Sequence, residues 1–471
     1  MRRTTLALFA ALVLTACRRP DGTPPIVQDE QILVGAHYHV WYPKNFSQGT
    51  LRARLDPPQQ PVRGRYDSTD PATAEQHIAW CSQYGIDFLT LDWWPNRPSQ
   101  NSAIEKGFLQ AANLNDIRFC IFYEAWDLAF DTTTAATMFT PAVADRFVAQ
   151  MHELADRYLS HPRYLHIDGR PVIILYLSRT FSGDFRDAIT RARSELAARG
   201  VEPFFIGDEI FWGVMAAHTK LSGAPIPARG PQMGRIELFD AIFGYNLYDW
   251  SQPPQAGYGA QSDYVKDVSA LYDEFSAASS NSVYFIPDII PGYNDRGVRL
   301  DVDSFAIPRR WTRDAEAGSF FAECFDRLAV PHLDPRLNML FITSFNEWNE
   351  DTAIEPLASG SPTRRDHSPG GYDYTQGYRY TGYDKRYLEI IRDKVVALCG
   401  TLTTAEGQPA AGITLELKQG RRRLITVSDS RGTYRFARKG LTAGDALLRI
   451  PARTLKQPVT LYADRALILD L

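Results

Sequence analysis

Residues 85–95 read GIDFLTLDWWP. Within them Ile86 to Leu91 form a short, mostly apolar run, opened by Gly85 and closed, after Asp92, Trp93 and Trp94, by Pro95. A run of that length between turn residues reads as a strand buried on both faces. Working outward, similar runs predict strands at about 32–41, 86–94, 117–124, 171–177, 203–209, 241–247, 283–290 and 339–345, eight in all. Segments of helical period lie between them, for example PAVADRFVAQMHELADRYL (141–159) and DFRDAITRARSELAAR (184–199), the second followed by Gly200 where a C-cap belongs. Repeated βα units imply a parallel sheet, and eight of them predict a closed (β/α)8 barrel of the TIM type over residues 31–399. A Gly-, Pro- and Tyr-rich tract, 356–384, and a last helix over 385–399 complete that domain.

Residues 400–471 lose the helical period and alternate short runs, such as 413–417 and 433–436, with turns, the pattern of a small all-β sandwich. They hold 12 Lys+Arg against 6 Asp+Glu, a net +6, so the total of −4 leaves −10 on residues 1–399. Overall, 44% hydrophobic and 23% charged residues exclude a disordered, collagen-like or coiled-coil chain. The balance also lacks the basic excess that neutralises phosphates, so nucleic acid is not an expected partner.

At the N-terminus, Arg2-Arg3 precede an apolar stretch, 6–16, too short to span a bilayer and suited to a signal peptide. Its end, Leu14-Thr15-Ala16-Cys17, resembles the bacterial lipobox. The expectation is a signal peptide over 1–16, lipid attachment at Cys17, a proline-containing tether over 17–30, and a protein held to a membrane in the bacterial cell envelope. The other cysteines, Cys81, Cys120, Cys324 and Cys399, contain no CxxC and read as buried small hydrophobes.

Active sites of α/β barrels are built at the C-terminal ends of the strands. Of the 9 Trp, seven (Trp41, Trp93, Trp94, Trp126, Trp212, Trp250, Trp348) fall at or just after a predicted strand end. The acids Asp92, Glu124, Asp208, Glu209, Asp288, Glu347 and Glu350 cluster at the same ends. Aromatic walls with several carboxylates favour carbohydrate chemistry. The chain has no GxxxxGK[ST], HExxH or GxSxG, and no GxGxxG after a strand, which weakens nucleotide, protease and esterase readings. In ITSFNEWNEDTAIEP (342–356), Glu347 and Glu350 would face opposite sides of a continuing strand. A turn near 346–348 brings both carboxyls into one pocket, where two acids push their pKa values apart, as glycoside hydrolysis requires.

That segment resembles the S-[WF]-N-E-W-H-E-G-T-x-I-E-P signature of glycoside hydrolase family 99, the endo-α-mannosidases and endo-α-mannanases. VGAHYHVWY (34–42), GIDFLTLDWWP (85–95), FYE (122–124) and PGYNDR (291–296) resemble further segments of that family in the same order. The resemblance implies retaining hydrolysis of an α-mannoside-like linkage in an oligo- or polysaccharide through a 1,2-anhydro sugar, without a cofactor. Glu347 would deprotonate the 2-hydroxyl and Glu350 protonate the leaving oxygen. His37-Tyr38-His39-Val40 departs from the family's aromatic pair and Pro, and Asn349 and Asp351 stand where it has His and Gly. Tyr38, His39, Trp41, Asp92, Trp94, Glu124, Tyr245, Asn246, Tyr293, Arg296 and Asn346 are the candidate substrate contacts. A metal held by His37, His39 and Asp92 is disfavoured. Two rivals stand beside this reading: ordinary double displacement with Glu124 or Glu209 as partner of Glu347, and a catalytically silent glycan-binding lipoprotein. GTLTTAEGQPAAGITLELKQG (400–420) and SDSRGTYRF (428–436) resemble carboxypeptidase-regulatory-like or Cna-B-like sandwiches, an accessory domain.

Overall fold

Eight parallel strands follow one another in chain order around a cylinder: β1 (Leu33–Tyr38), β2 (Phe88–Trp93), β3 (Arg118–Tyr123), β4 (Arg170–Leu175), β5 (Phe204–Asp208), β6 (Ala241–Phe243), β7 in two pieces (Tyr284–Phe285 and Asp288–Ile289) and β8 (Met339–Ile342). This computed structural model describes residues 31–134, 136–210, 230–245, 247, 261–300 and 306–471, so Cys17, Trp212, Asn246 and Trp250 lie outside the described residues. β8 pairs with β1, Leu33 opposite Met339. The ring closes at β7, whose first piece pairs with β6 and whose second pairs with β8. Pro287, between the pieces, has no N–H for a ladder, and its carbonyl accepts from Phe341 at 2.9 Å. The predicted barrel is therefore the observed one, with strands mostly shorter at their ends than the apolar runs suggested.

Interior side chains are large, and one glycine makes room for them. A Cβ on Gly35 would sit 2.3 Å from the Phe88 ring and 2.9 Å from that of Phe341. The wall helices carry the expected punctuation. In α1 (Pro71–Tyr84), Asp70 caps the Ala72 N–H at 3.0 Å, Pro71 takes the first helical position, and Gly85 ends it at φ +96°. The predicted 141–159 helix is an α-helix, α2 (Pro141–Leu154), followed by a π-turn over Ala155–Leu159.

The last wall helix, α3 (Arg386–Val395), stops four residues before the predicted 399. Val396 already belongs to β9 (Val396–Thr401). The C-terminal residues form two sheets around one apolar core, which includes Leu398, Leu415, Leu448 and Phe436. One sheet has the order β12-β9-β15, with β12 (Thr433–Ala437) and β15 (Leu467–Ile468); the other has the order β11-β10-β13-β14, with β10 (Thr414–Gln419), β11 (Arg422–Val427), β13 (Gly444–Ile450) and β14 (Leu455–Leu461).

The three-stranded sheet docks on the barrel. Arg435 of β12 donates to Ser82 O at 2.9 Å and to the Asp87 carboxylate; Ser430 N–H donates to Asp116 Oδ1 at 3.0 Å, and Lys439 Nζ to Asn338 Oδ1 at 2.6 Å. Asp87, Asp116 and Asn338 stand within two residues before β2, β3 and β8. The docking surface is thus the N-terminal end of the barrel, opposite the end where barrel sites are built. All four cysteines among the described residues are free and buried.

Candidate active site

Beyond β8 the chain folds back on itself at the C-terminal end of the barrel. Ser344 N–H donates to Thr352 O at 3.1 Å, Thr352 N–H to Glu347 O at 3.1 Å and Ile354 N–H to Ser344 O at 3.0 Å, closing a compact loop that carries Glu347 and Glu350. Glu347 Oε1 accepts the Asn349 N–H at 2.7 Å, and Glu350 Oε1 accepts Arg299 Nη1 at 3.0 Å. Both side chains are buried. Burial lifts the Glu347 carboxyl to about 7; nearby Glu350 adds to the rise, while His39 and the Asn349 N–H oppose it.

The loop is fixed from behind. Asp351 adopts φ +52°, in the left-handed region, at the position where the family signature has Gly. Its buried carboxylate takes Arg52 Nε at 2.6 Å and Arg309 Nε at 3.0 Å. Glu355 is fully buried and accepts from Tyr66 hydroxyl at 2.7 Å and Trp348 Nε1 at 2.9 Å, with His77 Nε2 at 3.2 Å. Trp348 is therefore a support for the loop.

From β1 the chain brings His39 to the same place. Its Nδ1 lies 3.5 Å from Asp92 Oδ2, its Nε2 lies 3.4 Å from the Tyr245 hydroxyl, and its ring stacks on Trp41 at 4.3 Å. Burial works against its positive charge, but Asp92, Glu347 and Glu350 outweigh it and hold the imidazole above its ordinary value. Asp92 Oδ2 accepts Trp94 Nε1 at 2.6 Å, and the Trp94 ring lies 6.1 Å from Trp41. Burial first, then the Asp92 charge, raises Glu124 well above the carboxylate range. The buried Tyr245 hydroxyl feels Glu350, Glu347 and Glu124 together. The indole N–H of Trp41 and Oδ1 of Asp92 are buried with no protein hydrogen-bond partner.

His39, Trp41, Asp92, Trp94, Glu124 and Tyr245 thus converge on Glu347 and Glu350. Other expected contacts are placed elsewhere. Tyr38, on the opposite face of β1, bonds His77 Nδ1 at 2.9 Å behind the sheet. Asn346 spends its amide on the backbone of His39, accepting at 2.8 Å and donating at 2.9 Å, so it ties β1 to the loop. Arg296 donates to the Asp373 carbonyl at 3.3 Å. Tyr293 is buried beneath Arg299, accepting from it at 3.4 Å. Asn246 lies outside the described residues.

Arg299 is the residue that sequence reading missed. It bridges Glu350 and Asp295, at 3.0 and 2.9 Å, and the i, i+4 spacing from Asp295 was the available signal. Tyr176, just past β4, was missed as well and packs 5.1 Å from Tyr245. Glu209, one candidate double-displacement partner, is committed to Ser178 at 2.9 Å and Arg235 at 3.2 Å. His37 sits deeper in the barrel, its Nδ1 2.7 Å from Thr90 hydroxyl, and burial pushes it well below its ordinary value. Among the described residues no three His, Cys, Asp or Glu side chains gather as a metal-ligand set.

Among curated proteins, the chain is 21% identical over 352 residues to rat (Rattus norvegicus) glycoprotein endo-α-1,2-mannosidase, covering 71% of this chain and 65% of the relative. To the human (Homo sapiens) glycoprotein endo-α-1,2-mannosidase-like protein it is 23% identical over 342 residues, covering 69% and 64%. It therefore spans about two thirds of the length of these relatives. Among solved structures, a family 99 endo-α-mannosidase from Bacteroides thetaiotaomicron shares the fold with a TM-score of 0.50 at 18% identity, over 78% of this chain and 96% of that one. A glycoside hydrolase-like protein shares it with a TM-score of 0.54 at 18% identity, over 78% and 94%. The family model described as Glycosyltransferase WbsX matches residues 53–361, well over half of the sequence, and the chain belongs to that family.

Proposed function

We propose that this protein is a glycoside hydrolase that cleaves α-mannoside-like linkages in an oligo- or polysaccharide with retention of configuration. The observation that carries the reading is the pair Glu347 and Glu350 on one buried loop, with the Glu347 carboxyl raised to about 7. Glu347 removes the proton from the sugar 2-hydroxyl, and O2 attacks the anomeric carbon as Glu350 protonates the departing glycosidic oxygen. Water, deprotonated by Glu350, then opens the resulting 1,2-anhydro sugar, and O2 takes its proton back from Glu347. A base with a value near 7 suits the weakly acidic hydroxyl better than an ordinary carboxylate. Trp41 and Asp92, with their unpartnered polar atoms, and His39 and Glu124 would receive sugar hydroxyls.

Endo-α-mannosidase relatives support the substrate class. The family description, a glycosyltransferase, favours a second reading: the same anhydro intermediate opened by a sugar hydroxyl in place of water. We also propose that residues 1–16 direct export, that Cys17 carries lipid in the cell envelope, and that the C-terminal residues are a carboxypeptidase-regulatory-like or Cna-B-like accessory domain.

The test uses residues 17–471 with Cys17→Ser, incubated with α-mannans, other polysaccharides and aryl glycosides, with and without sugar acceptors. Reducing ends released by the wild type and lost in Glu350→Gln, with the α-anomer formed first, support hydrolysis with retention. Longer products formed only with an acceptor favour transfer. No turnover, with undiminished glycan binding by both proteins, sinks the enzymatic reading and leaves a glycan-binding protein.

A further inference from the structure

The C-terminal domain presents two sheet faces, and only one is used. Side chains alternate across a strand. In the four-stranded sheet Leu415, Leu417, Leu448 and Ile450 point into the domain core, so the alternate residues point out. Because the three-stranded sheet is the one docked on the barrel, this outer face points away from the catalytic end.

That face is cationic and partly apolar. Lys418 stands opposite Arg423 across the β10–β11 pair, and Arg449 opposite Lys456 across the β13–β14 pair. Glu416 lies between them, buried under Arg423 at 2.9 Å and Arg449 at 3.9 Å; Asp445 is the other acid of the face. Beside the cations, Ile425 is 59% and Val427 41% exposed on the edge strand. The domain's net +6 against −10 elsewhere has the same direction.

We propose that this outer face is a docking surface for an anionic lipid bilayer. Charge complementarity selects an anionic partner, and the exposed aliphatic side chains select the headgroup boundary, where cations and apolar groups are satisfied together, over a fully hydrated polyanion. The chain supplies a second geometric argument. Gln31 Nε2 bonds Asp87 Oδ1 at 2.9 Å, the same carboxylate that holds Arg435. Residue 31 therefore stands at the rim where the C-terminal domain sits. A bilayer on that side leaves the barrel end that carries Glu347 and Glu350 facing solution. The inference is independent of the reaction proposed above.

Residues 17–471 with Cys17→Ser, which carry no lipid, are co-sedimented with phosphatidylcholine vesicles with and without phosphatidylglycerol, at low and high salt. Binding should need phosphatidylglycerol, weaken with salt, and fall roughly 100-fold in Lys418→Glu/Arg423→Glu/Lys456→Glu. Ile425→Ser/Val427→Ser should weaken vesicle binding several-fold and leave its salt dependence unchanged. Unchanged circular dichroism and melting temperature in both variants show that the fold survives. Equal binding to both vesicle types, or by the triple variant, overturns the proposal. So does retention on polygalacturonate without vesicle binding, which would assign the face to an acidic polysaccharide.

Discussion

Glu347 holds its carboxyl at 3% exposure beside a second carboxyl, an arrangement that favours its protonated form. As a base it must be ionised, so kcat/KM should climb as pH rises toward about 7 and level off above it. A profile falling through that range would assign Glu347 the acid's role. The same rise acts on stability. A carboxyl raised in the folded state binds its proton more tightly there than in the unfolded chain. Its stabilising contribution is complete below the unfolded value and is lost as pH rises through about 7. Glu347→Gln should therefore abolish turnover and raise stability at pH 8 by roughly 1–3 kcal/mol, at about 1.4 kcal/mol for each tenfold change in proton affinity. Thermal melts at acid and alkaline pH check this: the gain should vanish in acid. Arg299→Gln, which leaves the buried Glu350 and Asp295 carboxylates without their shared cation, should lower kcat/KM roughly 10- to 100-fold and lower the melting temperature as well. The two glutamates were legible because a strand cannot present both to one pocket without a turn. Tyr38, Asn346 and Arg296 were not, because nothing local says that His77, the His39 backbone and the Asp373 carbonyl would claim them.

At the scale of the element, the loop after β8 is held by a charge cluster that a glycine there would lack. Asp351 occupies a left-handed conformation that costs a non-glycine residue about 1 kcal/mol, and its carboxylate neutralises two buried arginines. Asp351→Gly relieves the first and removes the second. Stranding Arg52 and Arg309 costs more, so the variant should lose about 3 kcal/mol, measurable by urea unfolding, and its turnover should fall as the Glu350 backbone loosens. Stabilisation instead would mean that backbone strain outweighs the ion cluster. Strand and helix order was readable from periodicity. The end of α3 was not: VVALC is equally apolar as a helix face or as a buried strand, and pairing of Val396 with Ala437 decides for strand.

Across the whole molecule, the C-terminal domain caps the barrel at the end opposite the pocket. Its sequence announced a separate β domain but not where it would sit, since the contacts, polar ones such as Arg435 with Asp87 and apolar ones through Val396, Cys399 and Ala466, join residues far apart in the chain. Arg435 is the centre of that seam, and Asp87, raised by burial though Arg435 opposes the rise, depends on it. Arg435→Ala should lower stability by about 3 kcal/mol while the pocket keeps its geometry, giving a lower melting temperature with KM unchanged at 25 °C. At the far side of the cylinder, β7 gives two residues to β6 and then two to β8. It works as a clasp, so either half can release while the other stays fastened. The loop that carries Arg299 to Glu350 hangs from the half on β8. Amide hydrogens of Phe341 and Thr343, donated across that half, should then exchange faster than those of β2 and β3, and glycan filling the pocket should slow them first.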